Sequence, residues 1–208
     1  HYNDRIESAG EGVANWCPCV TELRDTHPRR GLRLLNAFVR HVSVPVMDRL
    51  STFEGHTLTE IRRDLHRHAE AGWKEFRTSA LLAESLSSLG YEVHLGADTV
   101  APDARMGVPP ADEVAAARER AREEGAPEAY LEQMGDVTGV IATKTNGDGP
   151  TIGLRTDIDA LARQEAMDDD HRPAAEGFAS VHPGEMHACG HDAHAAIGLG
   201  IARAFADT

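Results

Sequence analysis

The 208-residue sequence predicts an α/β layered domain, and three observations carry that expectation. Apolar residues recur at helical spacing from Leu58 onward. Short β-branched runs alternate with those helices, and Gly or Pro marks the joints between them. At 41% hydrophobic and 26% charged residues, the chain has the composition of a globular protein able to bury a core.

The elements follow in order. Thr57 or Thr59 can cap a helix in which Leu58, Ile61, Leu65 and Ala69 recur at three- and four-residue steps. A second helix is predicted from Thr78 to Leu89, with Leu82, Leu86 and Leu89 on one stripe and Gly90 at the left-handed cap. Tyr91 to Leu95 alternates as a strand. Residues 97–112 carry three prolines and read as a loop. Asp112 to Glu124, rich in Ala, Arg and Glu, reads as a solvated helix broken by Gly125 and Pro127. Val137 to Thr143 is a β-branched run suited to a buried strand, and Asn146 to Pro150 is a turn. Thr151 to Arg155 is expected to be a further apolar strand ending in Thr156-Asp157-Ile158-Asp159. In the last helix, capped by Asp192, Ile197, Ile201 and Phe205 face one way.

Charge divides the chain. The net charge is −13, which argues against nucleic acid as a partner, because neutralising phosphates needs a basic face. Residues 1–50 hold seven Arg against six acids, whereas residues 51–208 hold 14 cations against 28 acids. Residues 1–50 are therefore expected to be an extension of unknown role that need not be ordered, and residues 51–208 the functional domain. The longest apolar stretch of the extension, Val42 to Met47, is broken by Ser43 and Pro45 and is too short to span a membrane. No signal-peptide pattern is present. Cys17 and Cys19 flank Pro18, which is not the spacing of a zinc knuckle or redox pair, and Cys189 stands alone. An odd cysteine count without a leader fits the cytoplasm. A chain opening on His1 is expected to be a piece of a longer protein.

Four of the twelve histidines fall between His182 and His194, around His187-Ala188-Cys189-Gly190-His191-Asp192-Ala193-His194. Thiolate and imidazole suit borderline-soft divalent metals, and Gly190 permits the tight turn that such close ligands require. Asp192 can orient an imidazole from outside the ligand set. A second constellation, Asp157-Ile158-Asp159, sits where ligands collect in open α/β sheets, at the carboxyl end of the expected strand. His66 and Glu70 share a helix face while His68 points elsewhere, so surface and packing roles are expected there. Asp168-Asp169-Asp170 reads as a solvated loop. Glu185 is a candidate base on proximity alone. No phosphate loop, dinucleotide fingerprint or nucleophile elbow occurs.

The stretches Leu154-Arg155-Thr156-Asp157-Ile158-Asp159-Ala160-Leu161 and Met186-His187-Ala188-Cys189-Gly190-His191-Asp192-Ala193-His194 resemble the amidohydrolase branch of the M20 metallopeptidases, which includes hippurate and N-acyl-amino-acid hydrolases. Arg62 to His66 and Glu75 to Thr78 resemble the start of that fold. Ala104 to Pro109, His171-Arg172-Pro173 and Gly177 to Ser180 are similar to the subgroup acting on p-aminobenzoyl-glutamate. The likeness runs from about residue 58 to the end. It implies the N-terminal portion of a three-layer α/β/α zinc-peptidase-like catalytic domain, without its lid domain. It also implies Cys189 and His191 as metal ligands, Asp159 as the acid that supports the site, with Asp157 beside it, and a two-metal centre of Mn or Zn.

A homologous B subunit or a homodimer is the partner the resemblance implies. The family's catalytic Glu lies in a downstream acidic pair, with two further His ligands beyond it. After Asp192 this sequence holds only Asp207, and after His194 no His, so the 208 residues alone are expected to be inactive. Arg155 and Arg172 are the candidates to meet a glutamate substrate. Three readings stay open: hydrolysis of p-aminobenzoyl-glutamate, hydrolysis of another N-acyl amino acid, and a non-catalytic metal-binding or subunit-interaction protein.

Overall fold

The structure is a computed structural model that describes residues 56–206, so the expected extension over residues 1–50 lies outside the described residues. Helix α1 spans Leu58–Arg67 and α2 Phe76–Ser88. Strand β1 spans Glu92–Leu95, and α3, Ala111–Glu123, is followed by the short α4, Glu128–Met134. Strand β2 covers Val140–Thr143, α5 is one turn at Arg172–Ala175, and α6 runs from His191 to Ala206. The result is a mixed α/β unit, as the alternating patterns predict.

Local chemistry explains most boundaries. Thr57 begins α1 through a full capping box: its hydroxyl accepts from Glu60 N–H, and the Glu60 carboxylate accepts from Thr57 N–H at 2.7 Å. The helix stops at Arg67, so Ala69 and Glu70 lie beyond it, contrary to the longer helix expected. Helix α2 ends in a Schellman arrangement, with Gly90 N–H on Ser87 C=O and Tyr91 N–H on Leu86 C=O. Helix α3 ends the same way through Gly125 and Ala126.

Helix α2 is the hub. Phe76, Ala80 and Ala83 pack with Leu95, Val114, Ala117, Ala121, Leu131 and Met134 into one apolar cluster. Its opposite side sends Leu82 to meet Leu65 of α1 and Ala195 and Leu199 of α6 in a second. Phe76 is wholly buried, so truncation to Ala is expected to cost about 3–5 kcal/mol. The buried face of α6 is Ala195, Ala196, Leu199 and Ala202, while Ile197 is exposed, which corrects the expected Ile197–Ile201–Phe205 face. Small residues win that face because α1 lies close against it.

Strands β1 and β2 pair antiparallel, with Val93 opposite Ala142 and Leu95 opposite Val140. Thr151 to Arg155 forms no strand, against expectation. Among the described residues no neighbouring strand offers it a ladder, and Ile152 and Leu154 are exposed. The chain beyond it is held by two isolated bridges. Ala160 pairs with Ala71, and Leu161 pairs with Met186 through two hydrogen bonds of 2.9 and 3.0 Å. These bridges set the Asp157–Asp159 segment beside the loop that carries the cysteine and histidines. Among the described residues no helix is long and apolar enough to cross a membrane.

Candidate metal centre

Gly190 makes the turn into α6: its φ is +81°, and its carbonyl accepts from both Ala193 and His194 N–H. His191 thereby starts the helix facing Asp159. Its Nδ1 lies 2.9 Å from the Asp159 carbonyl and 3.0 Å from Asp159 Oδ1, so Nδ1–H donates to that pair of oxygens. A ring fixed through Nδ1–H turns its Nε2 lone pair outward, the orientation metal-bound imidazoles adopt. Gly198, one helical period on from His194, lets Thr156 lie against α6: a Cβ there would stand 2.9 Å from Thr156 Cγ2. The close approach keeps Asp157 next to the helix start.

Donor atoms of Asp157, His191 and His194 lie within 4.8 Å of one another, and the His191 and His194 rings stack at 5.3 Å. Cys189 is an exposed free thiol and is in neither of the three-donor sets that converge among the described residues. Asp159 and His191 are thus brought together, while Cys189 stands at the rim. An imidazole turned outward, a carboxylate and a nearby thiol form a donor set suited to a borderline divalent cation. His187, buried behind the loop, has neither ring nitrogen hydrogen-bonded, and burial pushes its pKa down to about 4, so the ring is neutral at pH 7.

Below this open rim lies a closed ionic cluster that sequence reasoning missed. His66, buried on α1, places Nδ1 2.8 Å from Asp192 Oδ2 and Nε2 2.8 Å from Glu165 Oε1. Burial opposes charge on the ring, but the two carboxylates outweigh it and raise the His66 pKa above its ordinary value. Arg62 Nε also reaches Asp192 at 2.7 Å, and Glu165 further accepts from His171 and from Ser180 N–H. Despite the cost of burial, these donors hold both acids below the usual carboxylate range. Asp192 therefore does not cap α6; it ties α6 to α1. Glu165 lies 99 residues from His66, and no local pattern announces that pairing.

Other candidates resolve plainly. Glu185 is gripped by Lys74 at 2.7 Å and Arg120 at 2.9 Å, which overcome burial and keep its carboxyl low, so it is a poor base. Asp168, Asp169 and Asp170 are exposed, as a solvated loop should be. Arg155 pairs with Asp157 and Arg172 with Glu176, so both cations offered for a substrate are already engaged by acids. Glu70 caps α2 from six residues before the helix, accepting from Arg77 and Thr78 N–H at 2.9 and 2.8 Å.

Peptidase family M20/M25/M40 matches over residues 153–208, the stretch that carries Asp157, Asp159, Cys189 and His191. The chain belongs to this family. It is 50% identical over 171 residues to the indole-3-acetyl-aspartic acid hydrolase of Enterobacter agglomerans, covering 81% of this chain and 36% of that protein. It is 49% identical over 149 residues to the A subunit of the p-aminobenzoyl-glutamate hydrolase of Escherichia coli K12, covering 70% and 34%. The crystal structure of an aminobenzoyl-glutamate utilization protein from Klebsiella pneumoniae superposes with a TM-score of 0.56 at 36% identity, over 83% of this chain and 35% of that one. The chain spans about a third of the length of the curated relatives it matches.

Proposed function

We propose that the protein is a metal-dependent amidohydrolase that cleaves the amide joining an acyl or aroyl group to an amino acid, with p-aminobenzoyl-glutamate as substrate. The observation that carries this reading is the His191 imidazole, fixed through Nδ1 by Asp159 and turned outward at the mouth of a histidine-rich loop. When bound, Mn or Zn in a two-metal centre supplies Lewis-acid polarisation of the scissile carbonyl and an acidified water. His191 and Cys189 are its proposed ligands. Asp159 acts as a positioning residue, holding the His191 tautomer. The Arg62–Asp192–His66–Glu165 cluster fixes α1 against the start of α6 and so keeps the loop in place.

A cytoplasmic site of action and a partner, either a homologous B subunit or a second copy, complete the proposal; the name of the Escherichia coli relative, as one of two kinds of chain, supports the former. The similarity to an indole-3-acetyl-aspartic acid hydrolase favours a second reading, in which the acyl group is an indoleacetyl. The test is hydrolysis by the full-length protein, loaded with Mn2+ or Zn2+, of p-aminobenzoyl-glutamate and of indole-3-acetyl-aspartate. The expected result is a kcat/KM at least about tenfold higher for the first, equivalent to roughly 1.4 kcal/mol of transition-state discrimination. A higher value for the second substrate selects the alternative. Tight metal binding with no hydrolysis of either selects a non-catalytic role.

A further inference from the structure

A second set of donors converges away from the Asp159–His191 pair. His68 is the C-cap of α1 and Glu124 the C-cap of α3; His182 comes from the loop that precedes Glu185. One ligand atom from each lies within 4.8 Å of the others. His68 Nδ1 and Glu124 Oε2 are 3.3 Å apart, and both atoms are buried without a hydrogen-bond partner. That separation matches the edge of a tetrahedron around zinc, about 3.3 Å for ligand bonds of 2.0–2.1 Å. His182, itself buried, donates Nδ1–H to the Ala69 carbonyl at 2.6 Å and turns Nε2 to Glu124 Oε1, also at 2.6 Å. A backbone carbonyl on one ring nitrogen and the other aimed into the cluster is the usual support of a ligating histidine.

We propose that His68, Glu124 and His182 form a second, structural binding site for a zinc-class divalent cation, clipping the ends of α1 and α3 to the His182 loop. Two imidazoles and one carboxylate favour zinc, cobalt or nickel over magnesium or calcium, which want oxygen shells. Both helices present their C-terminal, partially negative ends to the site, which adds to its attraction for a cation. Burial, and then the Arg77 guanidinium, lower the His68 pKa, so its ring is neutral and its lone pair free at pH 7. Burial works against ionisation of Glu124, yet His182 and His68 together hold its carboxyl below the ordinary range. On binding, the ion replaces the proton shared by His182 Nε2 and Glu124 Oε1, and water takes the fourth position.

Zn2+ and Co2+ themselves are the probes, applied to the full chain. In a Cys189→Ala/His191→Ala background, equilibrium dialysis is expected to find one equivalent of Zn2+ bound and a melting temperature raised by it. Co2+ there should give tetrahedral d–d bands without the sulfur-to-metal charge-transfer band of a thiolate site. Adding His68→Gln, Glu124→Gln or His182→Gln should each weaken Zn2+ by more than about 100-fold, beyond the 10–100-fold that losing a supporting hydrogen bond costs. As a converse, wild type and His68→Gln should differ by one equivalent at saturation. No Zn2+ in the first background, wild-type affinity in the added variants, or equal stoichiometry in the converse pair overturns the site.

Discussion

Two histidine-rich regions meet at the start of α6 and differ in how fully their donors are engaged. Around His66 both ring nitrogens are bonded to buried carboxylates, and an arginine completes the charge balance. Around His191 one nitrogen is held and the other is presented outward. The closed cluster builds the fold; the open one is built to receive something. Histidine count does not separate them, because both draw on the same residue types within the same few turns of chain. The number of protein partners per nitrogen does.

Removing a member of the closed cluster should have the largest effect. Asp192→Ala leaves His66, and part of Arg62, charged and unpaired in a buried setting, and should cost about 3–5 kcal/mol in urea unfolding. A loss below about 1 kcal/mol would erase the distinction between the two regions. The pH dependence has two flanks. His66 has a raised pKa, so its stabilisation is fully present below its ordinary 6.5 and is lost as pH rises through its folded value. Asp192 and Glu165 are depressed, so theirs is present above the ordinary carboxylate range and lost as pH falls through their folded values. Asp192→Asn should weaken both flanks.

Glu70 sharpens the contrast from the other side. It is as buried as Asp192 but leans on backbone N–H groups rather than on an adjacent ion pair, and burial pushes it up to about 7. The folded state therefore binds the proton more tightly than the unfolded chain between pH 4.5 and 7. Stability from this group declines as pH rises through that window, by roughly 3 kcal/mol in all. Glu70→Gln should flatten that slope. If the slope survives in the variant, another group is responsible and Glu70 is ionised throughout.

A smaller effect, of another kind, belongs to the open region. Asp159→Asn keeps the backbone carbonyl contact to His191 but removes the charged acceptor. It should weaken Zn2+ or Mn2+ binding by about 10–100-fold in calorimetry, while the unfolding midpoint barely moves. A large stability loss would mean that Asp159 belongs with the closed cluster.

Legibility in the sequence follows distance along the chain. Helices α1, α2 and α3 begin and end within a few residues of their expected limits, because Thr57, Gly90 and Gly125 act on neighbours three to five residues away. The pairing of β1 with β2 lies in the two β-branched runs. Thr151 to Arg155 misleads because an apolar run predicts a strand only where a partner edge exists. Helix α4 is hidden because Pro127 reads as a breaker, when proline also serves just before a first turn. The Cys189–His191 loop is legible as chemistry, since Gly190 and the ligand types are contiguous. Glu165, Glu124 and His182 are not, because their partners lie 58 to 113 residues away and only the fold joins them.

His194 should give the smallest effect, and it separates geometry from motif. Its ring is exposed and stacks on His191, and its donor atom comes within 4.8 Å of Asp157 and His191. That spacing is looser than the roughly 3.3 Å edge of a zinc tetrahedron, and no hydrogen bond fixes the ring as Asp159 fixes His191. His194→Ala should therefore change stability by no more than about 0.5 kcal/mol. It should weaken Zn2+ binding by less than tenfold, about 1.4 kcal/mol, while His191→Ala removes binding at this site. If His194→Ala matches His191→Ala in a Co2+ titration, convergence alone identifies ligands in this loop and the second-nitrogen criterion fails. If it leaves the spectrum intact, the held ring is the ligand and the stacked one only covers it.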